Sequence, residues 1–196
     1  MPVIPTPLAE GSRTLIRPYR HEDAAEFTAL ARESRTLHRP WLFPPQDAVA
    51  YAAYAGRLIE NPTAAGFLVC AREDGRIAGF ININNIVLGN FLSGAIGYGV
   101  FAHAARRGLM TEGLGLVMDH AFGRLGLHRL EANVQPANTG SVALVRRAGF
   151  RLEGYSPDFL LIDGAWRDHE RWAVTAEMAR RNRAAGSGQD VSGPCG

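Results

Sequence analysis

Arg106, Arg107 and Gly108 stand directly ahead of a run with helical apolar spacing, in the stretch HAARRGLMTEGLGL at positions 103–116. A helix N-terminus leaves main-chain N–H groups unpaired at the positive end of the helix dipole, and anions bind there. Gly108 lets the backbone approach a ligand closely, and two guanidinium groups add forked donors suited to phosphate oxygens. A basic turn entering an ordinary core helix has the same spelling, so the stretch alone leaves both readings open. Glu112, in the first turn, reads as dipole compensation ahead of catalysis. Two phosphate motifs are excluded: there is no G-K-[ST], and Met118 stands where a dinucleotide fingerprint needs its third glycine. The histidines at 103, 120, 128 and 169 show no metal-ligand spacing, so no metal is expected, and no G-x-S-x-G elbow accompanies them.

Composition narrows the chemistry further. All 21 basic residues among 196 are arginine, which excludes a Schiff-base lysine, a lysine general base and a Walker-type lysine. The arginines are spread along the chain and the net charge is +2, so no nucleic-acid partner is expected. Cys70 and Cys195 form neither a disulfide framework nor a zinc spacing. No apolar stretch is long enough to span a bilayer and the start has no signal-peptide pattern, so the expectation is a soluble, cytoplasmic protein without a membrane partner.

The elements that position these residues follow from periodicity. After a flexible arm over residues 1–12, RTLIRPY reads as a strand and HEDAAEFTALARES as a helix with Ala24, Phe27, Leu30 and Ala31 on one face. A proline-stiffened aromatic loop carrying Trp41 and Phe43 leads to an alanine-rich helix ending at Asn61-Pro62. GFLVCAR and IAGFININNIV form a hairpin turned at Asp74-Gly75. LSGAIGYGVF is a strand whose glycines either relieve crowding or admit a ligand to the backbone. Leu114, Val117, Met118, Ala121 and Leu125 then mark an amphipathic helix, HRLEANV a strand, and NTGSVALVRRAGF a short helix closed by Gly149. A last hairpin turns at Asp163-Gly164, and residues 177–196 read as a frayed or disordered tail.

Three stretches in this order resemble the GNAT acetyltransferase superfamily, over about Arg13 to Val174. RGLMTEGL is similar to the family's acetyl-CoA pyrophosphate loop and QPANTGSVALVRRAGF to its P-x-N-x-x-S…G-F helix. RPW and DFLLIDGAWRDHERWA resemble the RimJ and RimL group of ribosomal-protein-alanine N-acetyltransferases, the RimJ branch most closely. In the family's Q/R-x-x-G-x-G/A loop pattern, Arg106 here replaces the first glycine.

The resemblance implies an α+β fold in α/β/α layers: a mixed, mostly antiparallel sheet of about seven strands, splayed in the middle, with about four helices. The domain would cover residues 13–176. Acetyl-CoA would be the cofactor, bound by Gly99, Val100, Phe101, Arg106, Arg107, Gly108, Leu109, Met110, Thr111, Asn138 and Ser141. Its pantetheine arm would enter between the strands of GAIGYGVF and HRLEANV, with the thioester carbonyl against a backbone N–H near Gly99 or Val100. Ser141 is the expected acid for the departing thiol and Tyr155 the reserve; bonding of Ser141 to the backbone at its helix start is the competing role. Asn138 reads as a helix cap with a pantetheine contact added by the resemblance. A water among Glu131, Asn133 and Asn84 would take the amine proton. His38, Trp41, Phe43, Asn84, Asp158 and Asp168 are expected to bind the acceptor amine, although Trp41 and Phe43 also read as core plugs. The acceptor is expected to be a protein N-terminus, a small-molecule amine (an antibiotic, a polyamine or an amino-acid derivative) or a non-catalytic acyl-CoA-binding role being the alternatives, in a monomer or homodimer.

Overall fold

The computed structural model describes residues 6–187. Its strands are β1 (Ala9–Glu10), β2 (Thr14–Arg17), β3 (Ala65–Ala71), β4 (Ile77–Val87), β5 (Ser93–Val100), β6 (Arg129–Val134), β7 (Arg151–Ile162) and β8 (Ala165–Thr175). The helices are α1 (Ala24–Glu33), α2 (Arg35–His38), α3 (Ala48–Glu60), α4 (Leu109–Gly123), α5 (Thr139–Arg147) and α6 (Ala176–Ser187). The strands form one sheet in the order β1-β2-β3-β4-β5-β6-β8-β7, antiparallel except between β5 and β6. This is the expected mixed sheet with one more strand, the two-residue β1. That strand lies in the stretch read as an arm and is held by Leu8 N–H to Ile16 C=O and Gly11 N–H to Thr14 C=O. The single turn α2 and the terminal α6 add to the four helices legible from periodicity. Residues 1–5 of the arm and 188–196 of the tail lie outside the described residues.

Alternation along the strands divides the apolar residues between two faces. Ile81, Ile83, Leu130 and Val174 pack with Leu114 and Val117 of α4. Leu68 and Phe80 pack instead with Phe27 of α1 and Tyr51 of α3. The turns follow local chemistry: Asp163 (φ 51°) and Gly164 (φ 74°) are both left-handed, as a two-residue hairpin of primed type requires. At the end of α5, Gly149 has φ 86° and Phe150 N–H reaches back to Val145 C=O, the 6→1 bond of a Schellman cap.

The feature that creates a site is a change of partner within the sheet. β5 and β6 pair only from Ser93↔Arg129 to Ile96↔Ala132. Thereafter β5 follows β4 as far as Val100↔Gly79, while β6 follows β8 to Val134↔Glu170. The two middle strands therefore part after Ile96.

Candidate active site

The free edge of β5 can be followed residue by residue. Phe101 N–H donates to Ala78 C=O on the β4 side, whereas Val100 C=O and Ala102 N–H are bonded from the other side. Main-chain groups of successive residues point to opposite sides of a strand, so those of Tyr98 and Val100 face the parting. The glycines of β5 serve different ends. A Cβ on Gly94 would lie 2.5 Å from Ile83 and one on Gly99 2.6 Å from the Phe80 ring, so these two relieve crowding. Gly97 is exposed, with only Asn84 Nδ2 near a would-be Cβ, at 3.9 Å, and leaves the sheet surface open beside the mouth.

The loop after β5 delivers the chain into α4 with two left-handed residues, Arg106 (φ 60°) and Gly108 (φ 78°). The conformation that favours glycine is thus kept at Arg106 despite its side chain, at a cost of about 1–2 kcal/mol. The first turn of α4 closes with Glu112 N–H to Gly108 C=O, which leaves the N–H groups of Leu109, Met110 and Thr111 without helical partners. Leu109 and Met110 bury their side chains, so they have only main chain to offer a ligand. Arg106 and Arg107 are exposed, and Arg107 lies 3.6 Å from Glu73. Free N–H groups behind a left-handed turn, flanked by guanidinium groups, fit a diphosphate. Glu112 is committed elsewhere: Oε1 accepts from Ser12 Oγ and Arg13 N–H, each at 3.0 Å. Burial acts to raise its pKa, and the bonds from Arg13 and Ser12 outweigh that and hold it below the usual carboxylate range.

Asn138 caps α5, its Oδ1 accepting from Ser141 N–H at 3.1 Å. That places Ser141 in the first turn, where its Oγ lies 2.5 Å from the phenol oxygen of Tyr98 on β5. The Ser141 hydroxyl therefore bonds a side chain across the parting. Burial pushes the Tyr98 phenol up to about 12, against the opposing effect of its bond to Ser141, so it holds its proton at neutral pH. A hydroxyl pair with a retained proton can donate to a departing thiolate.

On the far side of the parting, β6, β7 and β8 surround a concavity of about 310 Å³ lined by Arg129, Glu131, Glu153, Tyr155, Ser156 and Arg171, among others. Glu131 is bound by Arg129 Nε at 2.9 Å and Arg171 Nη2 at 3.1 Å, one bond to each carboxylate oxygen, and the two guanidinium charges beside it oppose the uptake of a proton. Asn133, one residue beyond the last β5–β6 pair, has a buried Oδ1 without a hydrogen-bond partner. Tyr155 is 56% exposed and donates to Asp168, whose other oxygen accepts from Asp158 N–H at 2.9 Å. The structure thus joins Tyr155, Asp158 and Asp168 in one group at the irregularity of the β7–β8 pairing between Ser156 and Leu160. Asn84 accepts from Arg57 at 3.1 Å, Trp41 is half-buried, and Phe43 is exposed under the Arg39 guanidinium. His38, expected to wall the acceptor site, is only 3% exposed and lies inside, its Nε2 2.7 Å from Val100 C=O. Phe101 is wholly buried, so its side chain faces the core.

Residues 13–151 match the family model described as an acetyltransferase (GNAT) domain. This chain belongs to the GNAT acetyltransferases. The acetyltransferase is 30% identical over 174 residues to the probable N-acetyltransferase YjcK of Bacillus subtilis, covering 85% of this chain and 96% of that one. It is 32% identical over 170 residues to the [ribosomal protein uS5]-alanine N-acetyltransferase of Escherichia coli, covering 83% and 88%. Among solved structures, Mycobacterium smegmatis RimJ in complex with CoA-disulfide superposes with a TM-score of 0.79 at 32% identity, over 88% of this chain and 89% of that one.

Three residues of the candidate site carry little signal in the sequence. Tyr98 sits among glycines in a strand, and its only signal was a large polar ring at a position that alternation assigns to the parting. Arg13 reaches Arg107 C=O at 3.1 Å and lies over Gly108, a contact set by the passage of β2 beside α4. Arg171 acts through Glu131, 40 residues away in the chain.

Proposed function

We propose that this GNAT acetyltransferase moves the acetyl group of acetyl-CoA to the N-terminal α-amine of a protein, of the ribosomal-protein kind. The observation that carries the reading is the parted sheet with a half-buried Tyr98–Ser141 hydroxyl pair at its mouth and free N–H groups at the start of α4. Gly108, Leu109, Met110 and Thr111 would hold the diphosphate through the main chain, with Arg106 and Arg107 adding charge, and the edge at Tyr98 and Val100 would take the pantetheine arm, whereas the main-chain groups of Gly99 turn to β4. Acetyl-CoA supplies an activated thioester. Tyr98 and Ser141 hold the proton that the leaving sulfur requires, and Ser141 is therefore the acid through which Tyr98 acts.

The acceptor follows from what the site lacks. Glu131 is tied by two arginines, so deprotonation of an ammonium group has little help beyond the unpartnered Oδ1 of Asn133, which would hold a water. An α-amine, with a pKa near 8, is neutral at pH 7 roughly two hundredfold more often than a lysine amine near 10.4, on the order of 3 kcal/mol. A polycation would also meet Arg129 and Arg171 in the concavity. The uS5-alanine enzyme of Escherichia coli supports a small N-terminal residue as first choice. We place the activity in the cytoplasm, in keeping with Cys70 as a buried free thiol. The test is thiol release from acetyl-CoA with peptides beginning in Ala or Ser against spermidine and free amino acids. Turnover confined to peptides, with mass spectrometry locating the acetyl group on the α-amine, is the expected result; turnover of small amines alone overturns the acceptor, and none with any amine overturns the activity.

A further inference from the structure

Beyond Tyr98 the free edge of β5 is not bare. Ser34 and His38, one helical turn apart at the α1–α2 junction, reach it from the side that β6 has left. Ala102 N–H donates to Ser34 Oγ at 2.9 Å, and the His38 ring meets Val100 C=O at 2.7 Å. The two side chains are 1% and 3% exposed. A carbonyl oxygen only accepts, so Nε2 of His38 carries the proton and Nδ1 keeps a lone pair. That Nδ1 is buried without a hydrogen-bond partner. The ring lies against Phe80 and Phe101, with centroids 6.5 and 5.9 Å away. Burial lowers the imidazole pKa, and the bond to Val100 only partly opposes it, so the ring is neutral.

A residue on a free edge offers its N–H and its C=O to the same side. With the carbonyl of Val100 taken by His38, Val100 offers only its N–H. We propose that His38 is a positioning residue for acyl transfer: it closes the open edge of β5 at Val100 C=O, leaving the Val100 N–H as a fixed donor with no neighbouring acceptor to compete for it. Such an edge favours a thioester carbonyl whose oxygen gains negative charge, because a free carbonyl dipole beside it would repel that charge. His38 touches no reacting atom and acts through the main chain. The inference rests on the reading that the acyl-CoA arm enters the parting.

The experiment compares the intact wild-type protein with His38→Ala and His38→Gln, whose amide N–H can reach the same carbonyl. Coenzyme A affinity is measured by calorimetry, kcat and KM with acetyl-CoA and an N-terminal peptide, and folding by thermal melting. Val100 is followed through its carbonyl ¹³C resonance, and the His38 ring through its ¹⁵N resonances. The expected result is a kcat at least about tenfold lower in His38→Ala, with coenzyme A affinity and KM within about threefold, and recovery of most of kcat in His38→Gln. Wild-type ¹⁵N shifts should show the Nε2-protonated ring before any ligand is added. A folded His38→Ala protein with wild-type kcat, an equal loss in folded His38→Gln, or an Nδ1-protonated ring overturns the proposal. Should the wild type take up no coenzyme A, the proposed function fails instead, and the ring resonances still decide whether His38 donates to Val100.

Discussion

The stretch from Gly97 to Thr111 and the strands β6 to β8 lie on opposite sides of the parting and offer a ligand different parts of the chain. The first presents main chain: the edge of β5, two left-handed residues, and three N–H groups ahead of α4. The second presents side chains, most already engaged with one another, as Glu131 and Glu153 are by Arg129, Arg151 and Arg171. Main-chain recognition tolerates many side chains provided the backbone conformation is kept, whereas side-chain recognition changes with each substitution. The first half suits a cofactor shared across a family, and the second suits acceptors that differ among its members.

That contrast breaks most readily where a side chain of the first region, Tyr98, meets Ser141, which α5 carries in from beyond β6. Ser141→Ala and Tyr98→Phe should each lower kcat by about a hundredfold, with little change in coenzyme A affinity, because a general acid contributes on that scale. Stopped-flow thiol release and calorimetry on the same preparations check the split. A next, smaller effect is expected at Gly108→Val, where φ of 78° costs a branched residue about 1–2 kcal/mol and moves the N–H groups behind it. Its coenzyme A affinity should fall about tenfold, and its melting temperature should drop by several degrees.

The strands β6 to β8 should respond to acid. The Glu153 carboxyl is held at about 2 by hydrogen bonds from Arg129 and Arg151. Its folded pKa lies below its unfolded value of about 4.3, so its contribution to stability is complete above that pH and fades as the pH falls toward 2. Melting temperatures between pH 5 and pH 2 should therefore decline less steeply in Glu153→Gln than in the wild type. The smallest effect is expected at Tyr155→Phe. Its phenol is exposed and shared with Asp168, so kcat with a peptide acceptor should stay within about threefold of wild type. A hundredfold loss there, with Ser141→Ala unaffected, would move the acid to the other side of the parting.

The features read correctly from sequence share a local cause. The turns at Asp74-Gly75 and Asp163-Gly164, the Asn138 cap and the Gly149 stop each depend on residues within one turn of each other. The buried face of α4 follows from spacing alone, as Leu114, Val117, Met118 and Ala121 show. The glycines of β5 were ambiguous because crowding and openness have the same spelling, and the neighbours that separate them belong to β4. Polar residues were harder still. His38 looked like a wall residue because a histidine beside prolines and aromatics gives no sign that its partner is a carbonyl 62 positions away.

By itself, then, the sequence determined where elements start, stop and turn, which faces are apolar, and where two arginines and a glycine enter a helix N-terminus. Tertiary structure alone decided which polar atoms are spent and which remain open: Tyr98 with Ser141, Glu131 between Arg129 and Arg171, Glu112 with the segment before β2. Periodicity and capping act over a few residues. A hydrogen bond forms only within about 3 Å, and distances of that order between groups 40 to 100 positions apart exist only once the sheet has assembled and its two middle strands have parted.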